Sequence, residues 1–191
     1  MNRGKRLLSV VFVLVWAVAQ VGSAAELISN QGFENGFTAW ELWGDGDLRE
    51  EYYGVAPHNG TSFLRLWLRS GWYQDFAVQK GDAFNCSAWI TTAGKDALWG
   101  DAYGELKVEW RNKAGEDREV GEATSIKFDL LGKLNKTIKK DEWTRIELPP
   151  VVAPANATHG RVLLTIWSSD DKGGGCALFD DVSLQKAGPG N

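Results

Sequence analysis

The sequence predicts an all-β fold, a sandwich of two antiparallel sheets in the jelly-roll arrangement, on three observations. No stretch after residue 25 sustains the 3.6-residue apolar period of a helix of ordinary length. Apolar residues instead alternate, or run for four to eight positions, between turn formers drawn from 22 glycines. Eight such segments fill one chain without internal repeat or linker, which suits two sheets packed face to face.

The expected strands are 62–69, 73–79, 83–91, 104–111, 124–130, 143–148, 160–168 and 176–185. The first follows the turn His58-Asn59-Gly60 and places Leu64, Leu66 and Leu68 on one face, Arg65, Trp67 and Arg69 on the other. The second ends at the turn Lys80-Gly81-Asp82. In the third, Phe84, Cys86, Ala88 and Ile90 face inward, leaving Asn85, Ser87, Trp89 and Thr91 outside. Trp110 shares parity with Leu106 and Val108 in the fourth, so burial accounts for it; burial also accounts for Trp40. Lys113-Ala114-Gly115 closes that strand, Pro149-Pro150 through Pro154 closes the sixth, and Gly173-Gly174-Gly175 separates the last two. The stretch 111–142 is the most charged and reads as containing exposed loops, with Lys133, Lys136, Lys139 and Lys140 as a small solvated basic cluster, and Gly44-Asp45-Gly46-Asp47 reads as a flexible segment.

Residues 1–25 read as a secretory signal peptide: Arg3, Lys5 and Arg6, an apolar run from Leu7 to Ala19, then Gly22, Ser23, Ala24 and Ala25. That run falls short of the ~20 residues a bilayer-spanning helix needs, so no membrane span is expected. The reading places the protein outside the cell or in the periplasm, with a binding domain over 26–186 and a flexible tail over 187–191. Removing the signal peptide leaves 18 basic against 25 acidic residues, a net charge of −7, which disfavours nucleic acid as a partner. An oxidising compartment permits a disulfide between Cys86 and Cys176; the alternative is two small buried hydrophobes.

Nine of the ten tryptophans fall after residue 25. On strand 62–69, Trp67 lies between two guanidinium groups, opposite an apolar face. A sugar groove needs such a kit, an aromatic plate for the C–H face of a pyranose and planar donors for its hydroxyls. The other reading is that Arg stacks on Trp67, or a loop covers it, without any ligand. Trp43, Trp72, Tyr73 and Trp99 stand beside glycines at expected loops or strand ends.

Three segments resemble the CenC-type carbohydrate-binding modules: Leu27-Ile28-Ser29-Asn30-Gln31-Gly32-Phe33-Glu34 followed by Trp40, Tyr73-Gln74-Asp75-Phe76-Ala77-Val78-Gln79-Lys80-Gly81, and Ala177-Leu178-Phe179-Asp180-Asp181-Val182-Ser183-Leu184. The resemblance runs from 27 to 185 and implies a galactose-binding-like jelly roll that holds a polysaccharide or oligosaccharide without cutting it, often in association with a carbohydrate-active enzyme. It also implies a structural calcium on Glu34 and Asp180, with backbone carbonyls completing the shell. The alternative for Asp180 and Asp181 is that they end a strand and hydrogen-bond a turn. Trp67, Arg65 and Arg69, helped by Trp43, Trp72, Tyr73, Gln74 and Trp99, are the expected sugar-binding residues.

Two other function classes compete. A glycoside hydrolase or lyase needs two carboxylates about 5–10 Å apart. Glu105 and Glu109 on one strand would be roughly 13 Å apart, and Asp45 and Asp47 sit in the flexible segment. His58 and His159 belong to no Gly-x-Ser-x-Gly or zinc pattern, so no catalytic residue is assigned. An exported structural or adhesive protein would instead show an apolar patch for another protein.

Overall fold

The structure, a computed structural model, describes residues 25–169 and 172–188. The signal-peptide reading and most of the tail fall outside the described residues. The strands are β1 (Glu41–Arg49), β2 (Phe63–Ala77), β3 (Ala83–Thr91), β4 (Trp99–Gly100), β5 (Tyr103–Asn112), β6 (Arg118–Glu119), β7 (Thr124–Asp129), β8 (Lys136–Thr137), β9 (Thr144–Glu147), β10 (Val151–Val152), β11 (His159–Trp167), β12 (Gly173–Gly174) and β13 (Cys176–Lys186). The fold is the expected all-β jelly roll.

One hydrogen-bonded path, β10-β3-β13-β2-β11-β5-β7-β8, curls into two layers. Strand β2 belongs to both. Its residues 64–67 pair with β13, its residues 70–77 pair with β11, and β1 runs antiparallel to it on the remaining edge. Between the halves Leu68 takes φ 59° and is exposed, a left-handed conformation that costs a branched residue roughly 1–3 kcal/mol. The sequence pattern divides this strand at Ser70-Gly71-Trp72, whereas the chain only bends at Leu68.

The core lies between the layers. The first contributes Leu64, Leu66, Phe84, Ala88, Ile90 and Phe179, the second Trp72, Phe76, Leu106, Val108, Trp110, Phe128, Val162 and Leu164. Rings meet across the gap: Phe76 and Phe84 at 5.1 Å, and Phe128 and Phe179 at 5.8 Å. The inward parity expected for strands 83–91 and 104–111 holds, and Trp40 is buried with its Nε1 donating to the Asn30 carbonyl at 3.0 Å.

Gly44-Asp45-Gly46-Asp47, expected as a flexible segment, lies within strand β1. Gly44 instead sits at a register shift with φ 75°, a bulge only glycine adopts without strain, and Gly46 lies against Leu66 and Trp72.

Cys86 and Cys176 are free and buried, so the disulfide does not form and the small-hydrophobe reading holds. Cys86 pairs with Leu184, eight residues along β13 from Cys176, which puts the two roughly 25 Å apart at strand rise, against the ~7 Å limit between Cα atoms for a bridge. Burial raises both thiols to about 12, so neither is a nucleophile at neutral pH.

Candidate functional site

The bend at Leu68 separates the residues that the sequence grouped around Trp67. Arg65 and Trp67 face the outer side of the first layer. There the Arg65 guanidinium donates to both Asp47 oxygens at 2.9 and 3.0 Å. It also lies 4.3 Å from the Trp67 ring and 4.3 Å from the Tyr52 ring. Trp67 packs on a small cluster of Val55, Phe63, Ala93, Cys176 and Leu178, closed by Tyr52 and Trp143. Arg65 stacks on Trp67, as one of the two readings had it, and both residues line a shallow pocket of about 260 Å³ with Leu68, Asp96 and Gly175. Arg69 belongs to the other layer, where its Nε donates to the Ser168 carbonyl at 2.9 Å.

Two expected groove residues are interior. Trp72 is 1% exposed and part of the main core. Gln74 is 7% exposed and exchanges two hydrogen bonds with the Ser29 backbone, at 2.8 and 3.0 Å, fastening the N-terminal segment to β2. Neither can meet a sugar. Trp99 is 57% exposed on β4, its indole against Gly174 of β12.

The outer face of the second layer gathers what a glycan groove requires. Register places Gly71, Thr165, Glu105 and Lys127 in one row across β2, β11, β5 and β7, and Tyr73, Leu163, Lys107 and Ser125 in the next. Gly71 has no side chain, and the Trp43 indole occupies that space, 2.8 Å from where a Cβ would stand. Trp43 continues the platform to Trp167, with ring centroids 5.4 Å apart and planes at 48°. Thr165 (3% exposed) and Glu105 (8%) lie low in this row. The Thr165 hydroxyl donates to Glu105 Oε2 at 3.4 Å, a long bond that leaves the carboxylate with acceptor capacity. Buried carboxylates are costly without strong partners, so this one is suited to accepting hydroxyl protons from a ligand.

Away from the platform the same face is tied together by charge. Glu109 accepts from Lys107 and Arg111, each at 2.8 Å. Burial pulls the Lys107 ammonium down, but its hydrogen bond to Glu109 and the charges of Glu109, Glu119 and Glu105 outweigh this, and its pKa is raised. Asp75 takes two bonds from Arg161, at 2.6 and 3.1 Å. Burial raises the Asp75 carboxyl, yet Arg161, Lys113 and His159 hold it below the ordinary value. The Arg161 guanidinium also lies 3.9 Å from the Tyr73 ring, whose hydroxyl donates to Glu41 at 2.6 Å.

At the Trp167 end the face opens into a cavity of about 540 Å³ lined by Arg69, Gly100, Asp101, Ala102, Tyr103, Asp129, Lys133, Leu134, Trp167, Ser168 and Ser169. This volume lies within the ~300–1,000 Å³ range of small-ligand sites. Of the expected sugar-binding residues, Trp43, Tyr73 and Arg69 border the face or its cavity. Trp167, Tyr103, Glu105, Lys107 and Thr165 were missed.

Glu34, Asp180 and Asp181 surround Gly32. Their oxygens Asp180 Oδ1, Asp181 Oδ1 and Glu34 Oε1 lie 3.4, 3.6 and 3.8 Å from where a Gly32 Cβ would stand. Glu34 accepts from the Thr61 and Ser62 amides, and Asp180 from those of His58, Asn59 and Asp181. Asp180 thus hydrogen-bonds the 58–60 turn, as the alternative reading had it. Burial raises its pKa to about 7, with the Asp181 charge adding to this, even though three backbone amides oppose the shift. Among the described residues no three His, Cys, Asp or Glu side chains converge closely enough to hold a metal by themselves. The donors are hard oxygens of the kind calcium takes, so the site fits that ion provided backbone carbonyls complete the shell.

No protein-family profile and no curated protein sequence matches the chain. Solved structures do. A family 61 carbohydrate-binding module in complex with β-1,4-galactotriose shares 17% identity at TM-score 0.54, over 86% of this chain and 100% of that one. A family 22 xylan-binding domain from Paenibacillus barcinonensis shares 19% identity at TM-score 0.55, over 88% and 98%. The enzymatically active domain of a bacteriophage CBA120 tailspike shares 9% identity at TM-score 0.61, over 85% of this chain and 21% of that one. These similarities establish the shared fold. Among the described residues no helix is long and apolar enough to cross a membrane.

Proposed function

We propose that the protein binds a polysaccharide on the outer face of its second layer and does not cleave it. The observation that carries this reading is the row Trp43, Gly71, Thr165 and Glu105, a platform of rings beside a buried carboxylate with acceptor capacity to spare. Rings bind the apolar faces of pyranoses, while the Glu105 carboxylate and the Thr165 hydroxyl bind their hydroxyls. A binding role is also in keeping with the carbohydrate-binding modules among its structural neighbours. Glu109 and Asp75, two further carboxylates of the face, are engaged by cations, which argues against either serving as a general acid or base.

The same reading includes export by the N-terminal segment, a place among the CenC-type modules, and action beside a polysaccharide-degrading enzyme. A structural calcium on Glu34 and Asp180, with backbone carbonyls completing its shell, belongs to it as well. When bound, the ion would neutralise the buried Asp180 carboxylate and fasten the start of the domain to its last strand.

The test is titration of soluble xylan, β-1,4-galactan, mannan and β-glucan by calorimetry, with an assay for newly formed reducing ends. The native protein binds one of these classes and releases no sugar. Glu105→Gln weakens that binding roughly 10- to 100-fold, as expected for a hydrogen bond to a charged group. Binding unaffected by Glu105→Gln moves the site elsewhere, product formation makes the protein an enzyme, and silence on every polymer removes the glycan reading.

A further inference from the structure

We propose that the polysaccharide held on this face carries an acidic substituent and that Lys127, Lys133 and Lys136 recognise it, an inference that rests on the glycan-binding reading above. The cations farther along the face are already neutralised. Lys107 pairs with Glu109, Arg111 with Glu109 and Asp117, and both Arg161 and Lys113 with Asp75. Along β7 and the loop after it the balance reverses. Among the described residues Lys127, Lys133 and Lys136 form no ion pair, although acidic residues outnumber basic ones in the chain, 25 to 21.

These lysines border the platform. Lys127 is the register partner of Glu105, and its ammonium stands 4.9 Å from the ring centroid of Tyr103, itself the register partner of Trp167. Lys133 lines the cavity at the Trp167 end together with Tyr103 and Leu134. The loop that carries it is pinned. Asp129 accepts the amides of Leu131, Gly132 and Lys133 at 3.1, 2.8 and 3.3 Å, and the Asn135 side-chain oxygen accepts the Lys127 amide at 3.1 Å. Lys136 follows on β8, which pairs in parallel with β7, and Ile138 beyond it is buried. A backbone fixed in this way holds the ammonium groups near one another at a smaller ordering cost on binding. Of the carboxylates nearby, Asp129 is consumed by those amides, Asp101 accepts the Ser169 amide, and Glu105 is nearly covered. Lys133 and Lys136 are exposed, so a charged group at the β7 side of the bound chain meets ammonium first. Leu131 and Leu134, exposed beside these lysines, would also suit an anionic membrane. The placement of Lys133 and Leu134 in one cavity with Trp167, and of Lys127 against Tyr103, favours the glycan.

The test removes the charge and keeps the backbone. Glucuronoxylan and polygalacturonan are titrated before and after reduction of their carboxyl groups to alcohols, and a sulfated galactan before and after desulfation. The native protein binds an acidic form about tenfold or more tightly than its neutral counterpart, as expected for charge-assisted hydrogen bonds, and the pair that differs names the anion. This preference shrinks toward one in about 0.5 M sodium chloride. It shrinks likewise in the variant combining Lys127→Gln, Lys133→Gln and Lys136→Gln, whose thermal melt reports on its fold. Equal affinity for acidic and neutral forms, or a preference that survives the three substitutions, overturns this inference and leaves glycan binding intact. Binding to phosphatidylglycerol vesicles that the substitutions abolish, without any acid-dependent glycan binding, assigns the lysines to a membrane and overturns it too. Binding to no polymer in either form overturns both readings together.

Discussion

Trp43 and Trp167 sit on strands that do not pair with each other, yet their rings meet at 5.4 Å across the surface of Gly71 on the strand between them. The missing side chain of Gly71 is what lets the Trp43 indole lie down. Gly71→Ala puts a Cβ 2.8 Å from that ring and forces it upward. The expected outcome is a changed near-ultraviolet circular dichroism spectrum, a stability loss of about 1–3 kcal/mol from overpacking, and markedly weaker glycan binding. An Ala variant with native affinity would show that the indole pair is not the platform.

Trp67 separates the two faces experimentally. Its ring is held by Arg65 and by the small cluster around Phe63 and Leu178, remote from the Glu105 row. Trp67→Ala therefore lowers stability by about 2 kcal/mol for a half-buried aromatic, read as a lower urea midpoint, and leaves glycan affinity unchanged per folded molecule. Loss of affinity without loss of stability would return the binding site to the first layer.

His159 sets an acid limit on stability. It is buried, its Nε2 lies 3.5 Å from Asp75 and 3.7 Å from Asp117, and Lys113, Arg111 and Arg161 stand in the same network. Burial lowers its pKa below the ordinary 6.5, although the two aspartates oppose this. Above pH 6.5 both folded and unfolded histidine are neutral and its contribution is complete. As pH falls below 6.5 the unfolded chain takes the proton first, so stability declines until the folded pKa is passed. Asp75, lowered from 3.8, adds a second loss of the same sign only below that value. Urea midpoints of the native protein and His159→Gln between pH 5 and 8 should therefore converge as pH falls, and parallel curves would contradict this.

Asp180 works in the opposite direction and offers a test of the proposed calcium. With its pKa raised from 3.8 to about 7, its contribution is complete below pH 3.8 and is lost as pH rises through 7 in the absence of a cation. Calcium binds the ionised form, so it stabilises at pH 8 more than at pH 5. At 100 times its dissociation constant the gain is about 2.7 kcal/mol. Asp180→Asn should abolish both the pH trend and the calcium response of the thermal melt. A melt indifferent to chelation and re-addition at pH 8 counts against the ion.

Strand parity read the core correctly, since Phe84, Cys86, Ala88 and Ile90, or Leu106, Val108 and Trp110, need only local alternation to be placed. The same alternation on 160–168 puts Val162, Leu164 and Ile166 inside and Arg161, Leu163, Thr165 and Trp167 outside, so Trp167 was within reach of the argument spent on Trp67. The row itself was not. Gly71, Thr165 and Glu105 become neighbours only through the pairing of β2 with β11 and of β11 with β5, and a local pattern carries no register between distant strands. Register also decided the cysteines, which share a layer but lie far apart along it. Strand β1 stayed hidden because its glycines follow from neighbours, Leu66 and Trp72, that sequence does not place against them.

Strand β2 passes through both layers with a single bend at Leu68, and β1 accompanies it along both halves. Neither layer can separate from the other without also breaking the ladder that β2 carries into its partner. The two sheets therefore unfold as one cooperative unit, and amide hydrogens on β11 and β13 exchange at a common slow rate set by global opening. A load applied at Trp167 would pass along β11 into β2, and from there to the C-terminal strand β13.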